Sequence, residues 1–473
     1  MHSRDIEESF LRRLALRSCD VSERWFPDPY VFAVLAVVIV AAAALMVGSK
    51  PVAVVQAFGN GYWSLIPFTL QMSFIIIGGY VTADSPPVEK LVTRLAALPR
   101  TGRGAVAFVA TFSMLVSLIH WGLSLILGSL LVRALARREA LHMDYRAAGA
   151  AAYLGLGATW AMGLSSSAAQ LQANPPSMPP SLLAISGVIP FSETILLWQS
   201  LVLTVVLVAA STWIAWATAP LSARAKTAAD LGVALDQRKY DLPPRSRPGD
   251  WLEYSPALNV FLALMGAGWL WLEFAGKGAI SAVANLNTYN LIFVMLGLLL
   301  QWRPRRFLDA VGRAIPGVAG VLIQFPLYGA AATILTNATN ADGVSVVTVL
   351  THAFGQVTTS GTFAWVMGGY SALVGMFIPS GGGKWLIEAP YVMQAAVDVQ
   401  YPLGWAVQIY NAAEALPNLI NPFWMLPLLG VLGLKARDLI GFSFMQFVVH
   451  VPLVLTLLWL LGMTVAYHPP VMP

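Results

Sequence analysis

Charged residues are scarce in this sequence. Asp, Glu, Lys and Arg together account for 11% of the 473 residues, whereas hydrophobic residues account for 57%. A soluble domain carries about 25% charged residues on average. The composition therefore excludes a water-soluble globular protein and indicates a chain that is solvated largely by lipid.

Cysteine and the signatures of enzymes are nearly absent as well. Cys19 is the single cysteine, which excludes a disulfide framework and a thiolate metal site. The six histidines lack metal-ligand spacing. Neither His-Glu-x-x-His, nor Gly-x-Ser-x-Gly, nor the glycine-rich phosphate loop of nucleotide-binding proteins occurs. We predict no enzyme activity, no cofactor and no metal beyond a sodium ion.

Long stretches without charge dominate the chain instead. Tyr30–Val47 is uncharged over nearly the length of one bilayer crossing, which takes about 20 residues. The pattern predicts an all-α polytopic membrane protein. Comparable stretches are Ile66–Val81, Thr194–Pro220, Ala257–Leu272, Leu291–Leu300, Gly317–Leu335 and Ile440–Tyr467.

The N-terminal segment, residues 1–26, is basic and amphipathic. Its five arginines and its spaced apolar residues predict a short cytoplasmic helix at the membrane interface rather than a signal peptide. The net charge of +5 comes mostly from Lys and Arg in loops. The positive-inside rule explains this distribution, so nucleic acid is not an expected partner. We expect a multi-pass protein of the bacterial cytoplasmic (inner) membrane with a cytoplasmic N-terminus.

A polar stretch at residues 221–254, rich in proline and in both charges, predicts a linker between two membrane repeats at 27–220 and 255–473. Each half opens with a long apolar helix, continues with a short basic amphipathic stretch at 85–100 or 303–317, and then has a broken segment. We predict re-entrant hairpins near 105–138 and 361–398. Paired interrupted segments are typical of transporters built from repeats, although chance similarity is the alternative.

The orientation of the halves is inconsistent at this level. Arginines place the N-terminus and the linker on the same, cytoplasmic side. Inverted repeats need an odd number of crossings in each half, which would place them on opposite sides. The sequence leaves this conflict open, and the tail Tyr467–Pro473, which lacks Lys and Arg, is compatible with an external C-terminus.

A glycine run interrupts the second half at "IPSGGGKW". Pro379 ends one helix, and Ser380–Gly383 offers backbone N–H groups with little side chain in the way. A helix that starts near Lys384 would direct its positive end at this point, which favours an anion such as a carboxylate. A glycine-rich packing kink is the alternative.

Two charges follow the glycine run within the same apolar region. Lys384 and Glu388 are four residues apart and can pair on a helix. Charged residues inside a membrane are functional candidates by default. Lys384 is predicted either to bind the substrate carboxylate, or to pair with Glu388, or to extend to an interface.

Polar residues mark three further broken segments. His120 is either a hydrogen-bonded core residue or a proton carrier. The serines of "GLSSSAAQL" bind a carboxylate or a cation, or bond to their own backbone. Glu414 and Asn418 share a helical face and could bind a proton or sodium, unless Glu414 is solvated at an interface. Gln324 lies beside Pro326 in a cavity wall or a simple proline kink.

At these motifs the chain resembles the short-chain fatty acid transporters of the AtoE type, within the ion-transporter superfamily. The resemblance covers nearly the whole chain, and the Pro-Ser-Gly-Gly-Gly-x-Trp stretch is its most specific motif. It is carried by "RWFPDPYVFAVL" at Arg24–Leu35, "YNLIFVMLGLLL" at Tyr289–Leu300, "GVLIQFPLYG" at Gly320–Gly329, "PSGGGKWLIEAP" at Pro379–Pro390 and "NPFWMLPLLG" at Asn421–Gly430.

The resemblance implies two inverted repeats, each with a re-entrant hairpin and a broken helix, in an elevator-type architecture. It implies uptake of small monocarboxylates such as butyrate or acetoacetate. It places the hairpin tips at His120–Ser124 and Ser380–Gly383. The chain departs from the family pattern at His120, where Asn is usual, at Lys384, where His or Gln is usual, and at Glu388, where Gln is usual. The family's "GSxPL" pattern is replaced by "SSSAAQL".

We therefore expect a secondary active transporter of short-chain fatty acids or related small monocarboxylates, coupled to a proton or a sodium ion. A carrier of a more polar or different carboxylate, which Gln170 and Gln172 would suit, and a passive organic-anion channel are the alternatives. The partners are a small carboxylate and the lipid bilayer, with a homodimer also allowed. Predicted substrate-binding residues are His120, Trp121, Gly122, Ser124, Ser165, Ser166, Ser167, Gln324, Ser380, Gly381, Gly382, Gly383, Lys384 and Trp385, and the coupling-ion candidates are Glu414, Asn418, Glu388 and His120.

Overall fold

The computed structural model describes residues 29–472 apart from 65, 174, 176, 177, 179, 236–241, 280, 281, 283, 284 and 377–380. No β-strand occurs within these described residues, and helices of very different length form the regular structure. The N-terminal segment predicted at residues 1–26 lies outside the described part of the chain.

The first half contains ten α-helices among its described residues. Six helices of the described chain are long and apolar enough to cross a membrane: 51–83, 102–119, 198–218, 257–277, 304–337 and 436–462. The helices of the first half are α1 (Pro29–Met46), α2 (Pro51–Ser64), α3 (Ile66–Ala83), α4 (Pro86–Ala96), α5 (Gly102–Ile119), α6 (Trp121–Ala136), α7 (Tyr145–Leu154), α8 (Ser167–Gln172), α9 (Pro180–Ser186) and α10 (Trp198–Thr218).

The second half contains ten further α-helices among its described residues. A polar stretch with turns follows α10 and leads into a short helix before the next apolar one. The helices are α11 (Asp250–Tyr254), α12 (Ala257–Lys277), α13 (Leu286–Gln301), α14 (Pro304–Asn337), α15 (Val346–Val357), α16 (Phe363–Gly375), α17 (Gly381–Asp398), α18 (Leu403–Asn418), α19 (Leu426–Leu432) and α20 (Ala436–Gly462).

One predicted element is wrong. The basic stretch 303–317 is not a separate amphipathic segment, because α14 continues through Pro316 and Pro326 for 34 residues. A proline inside a membrane helix is tolerated where neighbouring helices satisfy the freed backbone. The helix after α14 is α15, which begins at a Ser345 capping box.

The helices form two groups. In the inner group, α5 and α6 pack on each other and on α7, while α18 packs on α16, α17 and α20. In the outer group, α14 packs against α1, α2 and α3, and α13 packs against α3 and α12. A small separate core of the outer group joins Val40, Ala44, Val54, Ala57, Ala331 and Ile334.

The cationic side chains gather at one end of the helices, which we call the basic end. Arg313 pairs with Asp84 at 2.8 Å, joining α14 to the end of α3. Arg305 pairs with Glu253 at 3.2 Å, joining α14 to α11. The polar stretch after α10 lies at the same end, because Arg133 at the end of α6 donates to the Ala234 carbonyl at 2.9 Å.

The opposite end has few cations. Ser49 after α1 donates to the Ala338 carbonyl after α14 at 2.9 Å, which places both helix ends together. Val188 N donates to the Val471 carbonyl at 3.0 Å, so the C-terminal residues lie at this end as well. Among the described lysines and arginines, Lys50 and Lys277 lie here, Lys384 lies between the ends, and the others lie at the basic end.

Candidate functional site

Two broken helices cross at the centre of the inner group. Every residue of α18 is buried, and the helix ends at Asn418, directly after Pro417. The regular part of α7 ends at Leu154 and passes into a π-turn, Gly155–Thr159, followed by a 3-10 turn to Met162. Tyr153 donates from its hydroxyl to the Asn418 carbonyl at 2.7 Å. The two breaks therefore face each other in the middle of the molecule.

The first predicted tip is a one-residue interruption between α5 and α6. His120 is extended and caps α6, since its Nδ1 accepts from Gly122 N at 2.9 Å and from Leu123 N at 3.3 Å. An Nδ1 that accepts leaves the proton of the neutral ring on Nε2. The ring lies 4.0 Å from the Tyr289 ring and 4.4 Å from the Phe293 ring, centroid to centroid. The first tip thus contacts α13 of the outer group.

The second tip joins α16 to α17. Residues 377–380, which include the predicted Ser380, lie outside the described residues. The described part of α17 runs from Gly381, three residues before Lys384, so Gly381, Gly382 and Gly383 lie in its first described turn. The partners of their N–H groups fall outside the described residues. Free backbone donors at the glycine run therefore stay a prediction.

The second tip meets both breaks. A Cβ on Gly381 would overlap the Trp160 ring, and one on Gly382 would lie 3.3 Å from Ser167 Cβ. On the other side, Asn421 Nδ2 donates to the Met376 carbonyl at 3.4 Å. Glycine at the start of α17 is required by this close approach.

The first tip meets both breaks as well. Leu164 N donates to the Leu118 carbonyl at 2.7 Å, which joins the segment after α7 to the end of α5. The Trp121 ring lies 5.2 Å from the Trp424 ring in the segment after α18. The two tips and the two breaks thus converge on one region.

A fully buried charged cluster stands beside the second tip. Lys384 Nζ lies 2.7 Å from Glu414 Oε2 and 3.6 Å from Glu388 Oε1. It also donates to Ser371 Oγ at 2.8 Å and to the Ser371 carbonyl at 2.7 Å, and Ser371 Oγ donates to Glu388 Oε2 at 2.7 Å. The cluster joins α16, α17 and α18. We call Lys384, Glu388, Glu414 and Ser371 the charged cluster.

The cluster holds one ammonium against two carboxylates. Both glutamates and Lys384 have at most 1% of their side chains exposed. Glu388 Oε1, Glu414 Oε1 and the neighbouring Asn418 Oδ1 are buried and accept no hydrogen bond from the described residues. An ionised cluster would carry one excess negative charge in a place without water, which is costly unless something neutralises it.

This geometry settles two of the alternatives for these charges. Lys384 does not extend to an interface, because its ammonium is enclosed by the cluster and lies 4.5 Å from the Tyr410 ring centroid. Glu414 is not solvated, since it is 1% exposed. The expected pair of Lys384 and Glu388 exists, but Glu414 is the nearer partner.

Several predicted residues are bonded to the protein itself. Ser124 donates to the Ser113 carbonyl at 2.8 Å, and Ser165 donates to the Ser117 carbonyl at 3.3 Å. Ser166 caps α8 through Ala169 N at 3.5 Å. These hydroxyls hold the broken segments in place. Ser166 bonds within its own segment, as the alternative for the serines has it, whereas Ser165 bonds to the backbone of α5.

The remaining predicted residues lie around the place where the tips and breaks converge. Trp385 is buried with its ring 4.5 Å from the Tyr410 ring, and Gly122 packs tightly against Ile75 of α3. Gln324 lies within α14, and its buried Oε1 accepts no hydrogen bond from the described residues. The Gln324 side-chain oxygen is therefore an acceptor on the side of α14 that no described residue uses.

Three residues of the site escaped sequence reasoning. Ser371 connects Lys384 to Glu388, Tyr410 donates to the Gly381 carbonyl at 2.6 Å, and Trp424 lies between Trp121 and Phe325. Tyr410 lies four residues before Glu414 and so shares a helical face with it. That spacing could have identified Tyr410 as a site residue from the sequence. Ser371 gave no such signal, because only the packing of α16 on α17 brings it near.

Comparisons with known proteins agree on a family. A family model described as short chain fatty acid transporter matches residues 10–461. A protein of Escherichia coli K12 is 32% identical over 89% of this chain and 92% of its own length, and one of Haemophilus influenzae is 29% identical over 91% and 95%. Both have the provisional name of short-chain fatty acid transporter.

Two solved structures are distantly similar. The YdaH transporter of Alcanivorax borkumensis, described as having an unusual topology, gives a TM-score of 0.44 at 15% identity, covering 94% of this chain and all of that one. MtrF of Neisseria gonorrhoeae, presented as one of a class of antimetabolite efflux pumps, gives 0.42 at 12% identity over 97% of this chain. These scores are too low to support an argument about the present architecture. From the family model and the two relatives, the chain belongs to the short-chain fatty acid transporter family.

Proposed function

We propose that this protein is a secondary active transporter of small monocarboxylates, of the size of butyrate or acetoacetate, across the bacterial cytoplasmic membrane. Family membership supports the substrate class. The observation that carries the proposal is the convergence of both hairpin tips on both helix breaks, beside a buried charged cluster. Irregular backbone at membrane depth survives only where it lies within protein or lines a cavity, and such places are where carriers bind their substrates.

The substrate carboxylate binds between the tips in this proposal. The proposal takes Gly381–Gly383 as the start of α17, so that their N–H groups donate to the carboxylate at a helix N-terminus, where an anion is stabilised. His120 Nε2 supplies a further N–H from the other tip. Trp121, Trp424 and Phe325 form an apolar wall for the alkyl chain, with adjacent ring centroids 5.2 and 5.6 Å apart.

The arrangement of helices supports an elevator built from inverted repeats. The hairpin of α5 and α6 opens at the basic end, whereas that of α16 and α17 opens at the opposite end, where Phe363 stacks on Tyr401. The order α1 to α10 thus corresponds to α13 to α20 with reversed direction. In an elevator mechanism the inner group would slide along the outer group, in which α13 and α14 make most of the contacts.

The orientation conflict disappears in this scheme. The helix α12 runs from the basic end, beside α11, to Lys277 at the opposite end and belongs to neither repeat. This additional crossing reverses the second repeat while the start of α1 and the linker remain on the same side. Both can then be cytoplasmic, as their arginines predict.

A more polar substrate has little support. The two glutamines that would suit one bond within the protein: Gln170 Nε2 donates to the Leu164 carbonyl at 2.6 Å, and Gln172 Oε1 accepts from Ser186 at 3.1 Å, while the buried Gln172 Nε2 has no acceptor among the described residues. They stabilise the segment after α7. A small apolar acid therefore fits better.

Tracer uptake tests the proposal. Proteoliposomes with the purified protein are expected to accumulate labelled butyrate under an inward proton or sodium gradient, and excess unlabelled acetoacetate should compete. Empty liposomes are the control, because protonated short acids cross lipid unaided. Uptake that equals this control under every gradient would refute the proposal, and large gradient-independent unitary currents in a planar bilayer would indicate a channel instead.

A further inference from the structure

We infer that Lys384 is an exchangeable partner that Glu414 holds in the empty carrier and that the substrate carboxylate takes over when a proton binds Glu414. The inference rests on the proposed function and adds its coupling: one proton accompanies each carboxylate, and sodium has no role. Three observations carry it, namely the position of Lys384, the charge of the cluster, and the carboxylate oxygens that accept no hydrogen bond from the described residues.

Lys384 is within reach of the substrate site. It lies one turn into α17, so its backbone is only about 4.5 Å along the helix axis from Gly381. A Cβ on Gly375, the last residue of α16, would lie 3.7 Å from Lys384 Nζ and 3.1 Å from Glu414 Oε2. The ion pair therefore touches the residue from which the second tip starts.

The charges balance for an exchange. The empty cluster has one ammonium and two carboxylates and so a net charge of −1. A proton on Glu414 brings it to zero and leaves Lys384 with Glu388 at 3.6 Å and the Ser371 oxygens. A carboxylate that then accepts from Lys384 restores −1. The loaded and empty clusters have the same charge, whereas a carboxylate without the proton would add a second buried negative charge.

The unpartnered oxygens indicate a proton rather than sodium. Glu414 Oε1 and Glu388 Oε1 are buried without a hydrogen bond from the described residues. A sodium ion at Glu414 would lie close to the Lys384 ammonium, which is 2.7 Å from Glu414 Oε2 and would repel it. A proton neutralises Glu414 where it stands and removes the attraction that holds Lys384.

Other titratable groups facing the cluster do not alter this balance. Tyr370 and Tyr391 bond to each other at 2.9 Å, Tyr410 bonds to Gly381, and Tyr153 of α7 bonds to Asn418. The buried His450 of α20 lies 2.8 Å from Ser211, and the exposed His352 of α15 lies against Gln356 of its own helix. None of these groups supplies a second cation to the carboxylates.

A stability experiment without substrate isolates the proton site. The thermal stability of the purified protein in detergent is expected to rise as the pH falls from mildly alkaline to mildly acidic, because a proton neutralises the buried excess charge. Glu414→Gln should lose this dependence. Glu273→Gln, an amide in place of a carboxylate that pairs with Lys277 at 2.6 Å on the exposed face of α12, should retain it. Sodium in place of potassium should change neither protein.

Uptake then tests the exchange. Glu414→Gln mimics the protonated carboxyl, so it should still exchange labelled for unlabelled butyrate but lose accumulation driven by a proton gradient. Lys384→Met should lose both activities, and Glu273→Gln neither. Accumulation by Glu414→Gln at the level of the unsubstituted protein, or stabilisation by sodium that Glu414→Gln abolishes, would overturn the inference.

The two proposals fail separately. If the unsubstituted protein transports no short carboxylate, the proposed function is wrong, and the exchange of Lys384 between carboxylates fails with it. The stability experiment still decides on the proton site. A pH dependence that Glu414→Gln removes supports that site, and one that it leaves unchanged refutes it.

Discussion

His120 caps a helix with one ring nitrogen and leaves the other for the role proposed at the substrate site. Its Nδ1 accepts from two N–H groups at the start of α6. The position has Asn in the pattern that this chain resembles, and Asn is among the strongest N-cap residues. The cap is therefore the shared property, and the N–H on Nε2 is what histidine adds.

Substitution of His120 should separate these two roles. His120→Asn is expected to retain the stability of the protein and to change the Km for butyrate. His120→Ala should also lower the free energy of unfolding by about 1 kcal/mol, because the cap is lost. Unfolding in detergent and uptake kinetics measure the two effects, and equal losses of stability in both variants would contradict the cap.

The charged cluster predicts that Lys384 and Glu414 are strongly coupled in their effects on stability. Lys384→Met leaves two buried carboxylates without their cation and should reduce the free energy of unfolding by about 3–5 kcal/mol. Glu414→Gln in the same chain should recover much of this loss. A double-mutant cycle measured by unfolding in detergent gives the coupling energy. Simple addition of the two single effects would show that the ion pair does not stabilise the protein.

Gly375 is predicted to be intolerant of a methyl group. A Cβ there would lie 2.8 Å from Pro417 Cγ and 3.1 Å from Glu414 Oε2, so Gly375→Ala forces α16 away from α18 at a cost of about 1–3 kcal/mol. Gly369→Ala on the same helix is the matched control, since nothing lies within 4 Å of its Cβ position. Thermal unfolding should show a loss for Gly375→Ala alone.

Among the helices, α17 depends on α18 for the position of its first turn. The Tyr410 hydroxyl donates to the Gly381 carbonyl at 2.6 Å, which joins the second tip to a helix whose every residue is buried. Glycines have no side chains that could fix the position of this turn. The proposed substrate site therefore depends on α18 as much as on the tip.

Tyr410→Phe should loosen this contact. We expect a loss of about 1–3 kcal/mol from the buried carbonyl left without its donor, together with a higher Km for butyrate. Tyr254→Phe is the control, because it removes a similar bond, 2.8 Å to the Pro243 carbonyl, far from the tips. An unchanged Km in Tyr410→Phe would show that this bond does not position the tip.

For the whole molecule, the distribution of cations predicts the orientation. The basic end should face the cytoplasm. In a Cys19→Ser background, Met463→Cys at the opposite end should react with a membrane-impermeant maleimide on intact cells. Lys435→Cys should react only after permeabilisation, because it lies at the basic end beside the turn from α19 to α20. The reverse pattern would invert the orientation.

Sequence reasoning reached the elements more easily than their contacts. Uncharged length predicted the long helices, and the interruption at His120 and the helix end after Pro417 fall in segments that glycine, proline and polar residues had marked. The partner of Lys384 could not be found this way, because Glu414 lies 30 positions away in the sequence and only the packing of α17 on α18 brings them together. The extent of α14 was missed, since its two prolines are tolerated only through tertiary contacts.

The burial of α18 has a consequence for how the protein is made. Its 16 residues include Gln408, Asn411, Glu414 and Asn418. A segment with this many polar groups gains little from entering lipid on its own, because a single acidic residue at a helix centre costs about 2.5–3.5 kcal/mol during insertion. The same holds for α17, which carries Lys384 and Glu388. We therefore expect α17 and α18 to enter the membrane together, with their charges already paired, rather than one after the other.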